Sequence, residues 1–359
     1  MGIVENQEIR ILHIDTGIAW RGGQRQSLSL HQGLLKKNIK SFLVSNIDGK
    51  QIDIAKKDNI PNIFGFHFYS EISLVSIREI SEIYNRVSPH IVHCHDSHSL
   101  GLFRKLNRSC IVFHTRRVSY PINFLSRFLK YNKADYHVCV SDEINRYMSQ
   151  FFKNVFTIHS CIDELRFKEE RIKSPFRTNP NKRFLYVGAF SEQKGIDILI
   201  KGFSYLLKEF TNIELNLVGD GPLLEDMKFL VNKLGINKSV YFHGSKNNVE
   251  GYYLFSDIVI SPSVDGEGSN GVIKEAMICK KIIIASDIRS NMELIDDKVN
   301  GFLFKNKDIS SLEKLIKQIL LNELSLKKNS IYRRATDFLC EKLVDQYLYL
   351  YSKSLRKNE

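Results

Sequence analysis

Short apolar runs alternate with amphipathic stretches along the whole chain, and nearly every run closes on glycine, proline or a polar pair. ILHI leads into a glycine loop at Gly22-Gly23 and then QRQSLSLHQGL, which predicts a strand, a turn and a helix. HIVHCHDSHS and CIVFHTRRVSY read as buried strands ending in polar, histidine-rich segments. In the second half FLYVGAF predicts a buried strand, and SEQKGIDILIKGF an amphipathic helix opened by Lys194-Gly195. IELNLVGDGPLLEDM repeats strand, Gly-Asp-Gly-Pro turn and helix, and VYFHGS, DIVISPS and KKIIIAS add short strands. Strands alternating with helices predict parallel sheets, and 359 residues exceed what one core usually organises, so two α/β domains are expected. The boundary falls near residues 165–182, where RFKEERIKSPFRTNPNKR carries many charges, two prolines and almost no apolar periodicity.

Between DIVISPS and KKIIIAS lies VDGEGSNGVIKEAM, with Glu267 and Glu275 eight positions apart. On one straight helix they would stand roughly 12 Å and about 80° apart. That exceeds the spacing of a glycosidase carboxylate pair, about 5–5.5 Å or about 6.5–9.5 Å. Gly266, Gly268, Asn270 and Gly271 instead favour a loop carrying Glu267, with VIKEAMICK turning helical and holding Glu275 in its early turns. One carboxylate then meets a ligand end-on and the other from the side, with room between them for phosphates at the positive end of the helix. Lys194, at a helix entrance after a glycine-containing strand, suits phosphate oxygens. Each feature alone also describes an ordinary surface charge; the combination carries the reading.

The ordered set YVGAFSEQKGIDILIKGF, LNLVGDGP, VYFHG, SDIVISPSVDGEGSNGVIKEAM, KIIIASDIRSNMELI and VNGFLF, from about residue 180 to 305, resembles the nucleotide-binding domain of the retaining family 4 glycosyltransferases. In the first half, the opening strand with Gly22-Gly23, the strands ending in HDSHS and HTRR, and VCVSDEINRYM with VFTIHSCIDELRF are similar to the family's other domain. The resemblance implies an α/β chain of GT-B fold, two Rossmann-like domains facing across a cleft. Residues 1–170 would bind the acceptor, 178–330 the nucleotide diphosphate sugar, and 331–359 would return to pack on the first domain. The implied reaction moves a sugar, with retention at the anomeric carbon, to a glycan or glycolipid acceptor in bacterial-type surface polysaccharide or lipopolysaccharide assembly. Glu267 would bind donor-sugar hydroxyls and Glu275 the ribose. Lys194, the amides at Gly22 and Gly23, and the helix start over Gly268, Ser269 and Asn270 would hold the diphosphate. His114 would contact the sugar, completing a catalytic set with Glu267 and Lys194, and Arg289 or Arg116 would add positive charge. No cofactor is implied. Ala189 stands where the family commonly has an arginine, and the residues after Glu267 lack the family's frequent aromatic.

Charge adds a second theme. Residues 1–177 hold 26 Lys and Arg against 17 Asp and Glu, a net of +9, while residues 178–359 hold 26 against 23, a net of +3. No acid occurs between Asp96 and Asp135, where Arg104, Lys105, Arg108, Arg116, Arg117, Arg127, Lys130 and Lys133 all fall. Such a stretch attracts anionic lipid or acidic saccharide, and Arg116, Arg117, Arg127, Lys130 and Lys133 are the expected acceptor or membrane contacts. PINFLSRFLKYNKA, which interleaves aromatic and basic residues, fits an interfacial helix or, alternatively, an amphipathic helix facing the core. No signal-like segment and no apolar run of spanning length occurs, and the six cysteines form no C-x-x-C pair. The expected setting is cytoplasmic, peripheral on the inner face of the membrane, with reduced thiols.

Other classes fit less well. His93, His95 and His98 lack carboxylates at ligand spacing apart from Asp96, so no metal site is expected. No D-x-D occurs, which leaves diphosphate charge to lysine, arginine and helix termini. Neither Gly17 with Gly22-Gly23 nor Gly219 with Gly221 has the G-x-G-x-x-G spacing of a nicotinamide site, no phosphate-loop NTPase motif is present, and no nucleic-acid module appears. His114 also reads as a capping or core histidine. A GT-B nucleotide-sugar epimerase and a non-catalytic sugar or lipid binding protein remain as alternatives.

Overall fold

The structure, a computed structural model, describes residues 9–106, 109–167 and 172–356. The chain divides into two compact units: residues 1–161 with 340–359, and residues 162–339. Arg108 of the basic stretch and residues 168–171 of the expected boundary lie outside the described residues.

The first unit is built on seven strands: β1 (Arg10–Asp15), β2 (Lys40–Asn46), β3 (Ile63–Phe66), β4 (Ile91–Cys94), β5 (Ile111–Arg116), β6 (Tyr136–Cys139) and β7 (Val155–Thr157). They form one sheet in the order β3-β2-β1-β4-β5-β6-β7, and each neighbouring pair is parallel. The apolar runs are continuous because helices cover both faces of such a sheet. The chain order reverses direction between β1 and β4, the place where open α/β sheets present ligand crevices at the carboxyl ends of their strands.

The second unit repeats the plan with β8 (Lys182–Val187), β9 (Ile213–Val218), β10 (Val240–Gly244), β11 (Ile258–Ser261), β12 (Ile282–Ser286) and β13 (Phe302–Phe304). Its parallel sheet runs β10-β9-β8-β11-β12-β13, so the reversal falls between β8 and β11. One core under this sheet gathers Phe184, Phe190, Leu199, Phe203, Leu215 and Leu312. The other gathers Leu185, Val259, Ile273, Met277 and Ile283.

The tail divides rather than moving as one piece. Ile331, Ala335 and Phe338 are buried in the second unit's core, whereas the helix Cys340–Arg356 belongs to the first unit. That helix lays Leu343, Val344, Tyr347, Leu350 and Tyr351 against Leu30 and Leu34 of the helix Gly22–Lys36. Gly33 permits the approach, since a Cβ there would sit 2.2 Å from Val344 Cγ2. Among the described residues no helix is long and apolar enough to cross a membrane.

Candidate functional site

In the second unit the predicted ligand residues collect at the carboxyl ends of β8 and β11, on either side of the sheet reversal. After β8 the chain turns through Glu192–Lys194 and enters the helix Ile196–Leu206 at Gly195, whose φ of +59° is left-handed. A Cβ on Gly195 would lie 2.2 Å from the Pro262 carbonyl oxygen, so glycine is required both for backbone shape and for close approach of the loop after β11. The Val264 amide donates to the Gln193 carbonyl at 2.8 Å, which ties the two loops together. Across this junction Lys194 Nζ meets Glu267 Oε1 at 2.5 Å, and the Ser263 hydroxyl donates to the same oxygen at 2.5 Å. The predicted cation and the predicted sugar ligand are thus direct partners, both largely shielded from solvent.

The helix Gly271–Ile278 begins four residues beyond Glu267. Asn270, its N-cap, gives the first turn no side-chain hydrogen bond. Its amide group instead donates to Ser261 Oγ at 2.8 Å and Asn291 Oδ1 at 2.9 Å, anchoring the helix start to β11. A helix start without a side-chain cap is chemically suited to an anion, because its amides and the helix dipole favour negative charge. Lys274, 1% exposed, donates to Ser269 Oγ at 2.6 Å. Glu275 occupies the second turn and faces Arg166 Nη1 at 3.4 Å. Arg166 also forks onto Glu250 through Nε at 2.8 Å and Nη2 at 2.6 Å. Burial opposes the Arg166 charge, but Glu275 and then Glu250 offset this, and its pKa lies above the usual arginine value. A hollow lined by Arg166, Ile172, Lys173, Asn248, Glu250 and Tyr252 opens beside this triad. On the β9 side, Gly219 has φ +145° and would place a Cβ 1.8 Å from the Gly188 carbonyl oxygen, so the Gly-Asp-Gly turn packs directly on Gly188-Ala189. Arg289, exposed, opens a short helix after β12.

In the first unit Gly22 and Gly23 begin the helix Gly22–Lys36, again with no side-chain cap. The Arg117 side chain lies against Gly23, with its Cδ 3.5 Å from where a Cβ would be, and Arg117 Nη2 sits 3.1 Å from His95 Nδ1. Asp96 fixes this corner by accepting from the Thr16, His98 and Ser99 amides at 2.9, 2.8 and 2.7 Å.

His114 differs from expectation. β5 continues through Arg116 instead of ending with CIVF, and this carries His114 into the interior at 1% exposure. It stands edge-on to Tyr131, with its Nδ1 3.3 Å from His137 Nδ1, and burial followed by His137 lowers its pKa well below the usual value. Arg116 is likewise buried, bonded to the Tyr131 hydroxyl at 3.0 Å and to the Tyr120 carbonyl, so it is not a surface contact. Lys130 pairs with Glu71 and is mostly covered. Arg127 lies over the rings of Phe151, Phe124 and Phe128, whereas Lys133 is exposed.

The structure adds His13 to the histidine group, because register pairs it with His93 across β1 and β4. His13, His93 and His95 each offer a nitrogen within 4.8 Å of the others. The group reads as a core hydrogen-bond network: His13 Nδ1 meets His95 Nε2 at 2.9 Å, and His93 bonds Tyr351 at 2.6 Å and Thr115 at 2.7 Å. Sequence reasoning missed Arg166, Lys274, His13 and the Arg117–His95 contact. A lysine beside Glu275 in a helix whose remaining residues are glycine or apolar was the available signal for Lys274; the others depend on distant partners.

Two family models match the chain, one described as Glycosyl transferases group 1 over residues 167–337 and one as Glycosyltransferase Family 4 over residues 20–166. An uncharacterized glycosyltransferase of Haemophilus influenzae is 33% identical over 170 residues, covering 46% of this chain and 48% of that protein. A capsular polysaccharide biosynthesis glycosyltransferase, CapH of Staphylococcus aureus, is 35% identical over 131 residues, 36% of each chain. The chain thus spans about half the length, or less, of these curated relatives. The crystal structure of Anabaena HepE in complex with UDP-glucose superposes with a TM-score of 0.79 at 17% identity, covering 96% of this chain and all of that one.

Proposed function

Because the chain belongs to the group 1 glycosyltransferases and has their GT-B fold, we propose that it transfers a sugar, with retention, from a nucleoside diphosphate sugar to a surface-polysaccharide or lipid-linked saccharide acceptor. The observation that carries this is the convergence of Lys194, Glu267, Glu275 and an uncapped helix start at the carboxyl ends of β8 and β11.

Cleaving the sugar–phosphate bond builds negative charge on the departing diphosphate and positive charge on the sugar ring. Fixed donors already aimed at the diphosphate would stabilise that transition state without reorganisation. Lys194 and the amides after Asn270 are such donors. Lys194 compensates for the neutral Ala189, and a bound diphosphate would share its charge with Glu267. Glu267, freed in part from Lys194, would turn its carboxylate to donor hydroxyls. Glu275, held by Arg166, is oriented to accept from the ribose. His114, buried, would position Tyr131 and β5 rather than touch the sugar. The departing phosphate can take the acceptor's proton, so no protein nucleophile is required and no metal is assigned.

Uridine diphosphate sugars are the first donors to assay, as HepE is complexed with one. CapH, named for capsule biosynthesis, supports an envelope saccharide as acceptor. The test is transfer from UDP-glucose and UDP-N-acetylglucosamine to lipid-linked saccharides extracted from bacterial envelopes, with the product's anomeric configuration read by proton NMR. Acceptor-dependent product with an axial linkage from an α-linked donor supports the reading. Inverted product would overturn retention, and acceptor-independent epimerisation would favour the epimerase.

A further inference from the structure

The segment PINFLSRFLKYNKA forms a helix at Phe124–Leu129 in which no residue is buried. Phe124, Leu125, Phe128 and Leu129 all face solvent, although an amphipathic core helix would turn them inward. A second segment of the same unit does likewise: Tyr69, Ile72, Leu74 and Val75, at the entrance of the helix Leu74–Val87, are exposed. Exposure across the two segments ranges from 49% at Val75 to 82% at Leu74. Glu71, inside the second segment, holds them together by pairing with Lys130 at the end of the first and with His98 at 2.9 Å. Eight large apolar side chains in two clipped segments exceed the scattered exposure ordinary for a soluble surface.

The surrounding charge selects the occupant. Lys105, Lys133 and Arg146 are exposed nearby in the chain, Arg127 lies over the patch rings of Phe124 and Phe128, and residues 97–134 contain no acid. Aromatic and aliphatic side chains beside basic ones match the boundary between headgroups and acyl chains of an anionic bilayer. We propose that this two-segment surface docks the first unit on anionic membranes. Phe124, Leu125, Phe128, Leu129, Ile72 and Leu74 enter the acyl boundary, and Arg127 with Lys133 meets lipid phosphates. Lys130 takes no part in lipid contact and acts as the clip to Glu71. The inference deepens the proposed function by placing its acceptor at the membrane, and rests on that reading only for this consequence.

The experiment is sedimentation of the full chain with phosphatidylcholine vesicles, with and without phosphatidylglycerol, in the absence of nucleotide and acceptor. Binding is expected with the anionic vesicles, weakening as salt rises. Leu125→Asp with Phe128→Asp, and separately Ile72→Asp with Leu74→Asp, should each lower the partition coefficient at least tenfold. All four positions are exposed, so thermal melting should be unchanged. Failure of the native protein to bind, or binding unaffected by either pair, overturns the proposal. So does concentration-dependent self-association that both pairs abolish, which would assign the patch to a second copy of the chain. Transfer to a soluble acceptor analogue tests the catalytic reading separately, because it needs no membrane.

A different observation carries a second inference. Cys161 is the last residue before the chain passes into the second unit and Cys340 the first on its return. Their sulfur atoms stand 2.6 Å apart despite a sequence separation of 179, and Gln26 fixes Cys161 through bonds of 2.7 and 2.8 Å to its amide and carbonyl. We infer that the two form a reversible disulfide with a disulfide oxidant such as oxidised glutathione. One thiolate attacks the oxidant and releases one glutathione; the other displaces the second, so two protein thiols become one disulfide as one disulfide becomes two thiols. The bond joins the two connections to the second unit. Non-reducing peptide mapping after oxidised glutathione should give the Cys161–Cys340 cross-link and none in Cys161→Ser. Glutathione adducts without that cross-link would overturn the inference.

Discussion

Lowering the pH from 7 to 5 should destabilise the first unit far more than the second. His13, His31, His93, His95, His114 and His137 are all buried there, at 2% exposure or less. Burial is the leading cause of a lowered pKa at each of them, reaching about 4 at His31 and about 4 at His137. A histidine with a folded pKa below its unfolded value near 6.5 contributes its full share above that value. The share falls as pH drops and the unfolded chain alone takes up the proton, until the folded pKa is passed. The window is therefore about pH 6.5 to 4 for His31 and His137. At about 1.36 kcal/mol per pH unit, each should cost about 2 kcal/mol by pH 5, or about 4 kcal/mol for the pair. The other four act in the same direction. Typical domain stability is about 5–15 kcal/mol, so the unit should approach unfolding near pH 5. Trp20, the only tryptophan, lies in this unit and reports on it alone. Urea melts followed by its fluorescence should lose at least about 4 kcal/mol between pH 7 and 5. His137→Phe, replacing a ring that already packs on Phe152 at 4.3 Å, should recover about 2 kcal/mol of that loss. A loss under about 1 kcal/mol, or an equal loss in the second unit, would refute the assignment of neutral buried histidines.

At the site, Glu275→Ala should weaken nucleoside diphosphate binding about 10- to 100-fold, the worth of hydrogen bonds to a charged acceptor, while Arg166 keeps Glu250 as partner. Glu267→Ala should leave that affinity within about threefold and lower kcat at least about a hundredfold; calorimetry with the nucleotide and steady-state kinetics separate the two, and equal affinities would contradict the geometry. Lys194→Met should lower kcat with little change in thermal melting, because the lost positive charge matters most when the diphosphate departs; unchanged turnover would remove Lys194 from the mechanism. Gly195→Ala should cost about 1–3 kcal/mol in urea melts from strain at its positive φ and the clash with Pro262, and an unaltered midpoint would show that the two loops are not tightly packed.

What the sequence made legible was local. The strand runs and their order read directly because parallel sheets bury both faces, and Glu267, Asn270 and Glu275 fell into one loop-to-helix passage within nine residues. Arg166 was not legible as a ligand-site residue: its partner Glu275 lies 109 positions away and its own segment reads as a charged boundary. Lys194 and Glu267, read separately, face each other only because β8 and β11 are neighbours. His114 was misplaced because its own polarity masked two further residues of β5, and hydropathy cannot distinguish a buried polar strand end from a loop. The Phe124–Leu129 pattern allowed a core-facing or a solvent-facing helix, and only the packing around it decides.

Metal-free binding of a nucleoside diphosphate sugar by the second unit, through positive and dipolar groups, is the proposal on which the other site predictions depend. Its most direct test is thermal shift of the native chain with UDP, GDP, ADP and their sugars, in buffer containing EDTA and again with magnesium. One nucleotide class at about 100 times its Kd should stabilise the protein by about 2.7 kcal/mol, with the same shift in EDTA and a markedly smaller one in Glu275→Ala. No shift with any of them in either buffer, or a shift unchanged in Glu275→Ala, would contradict the account.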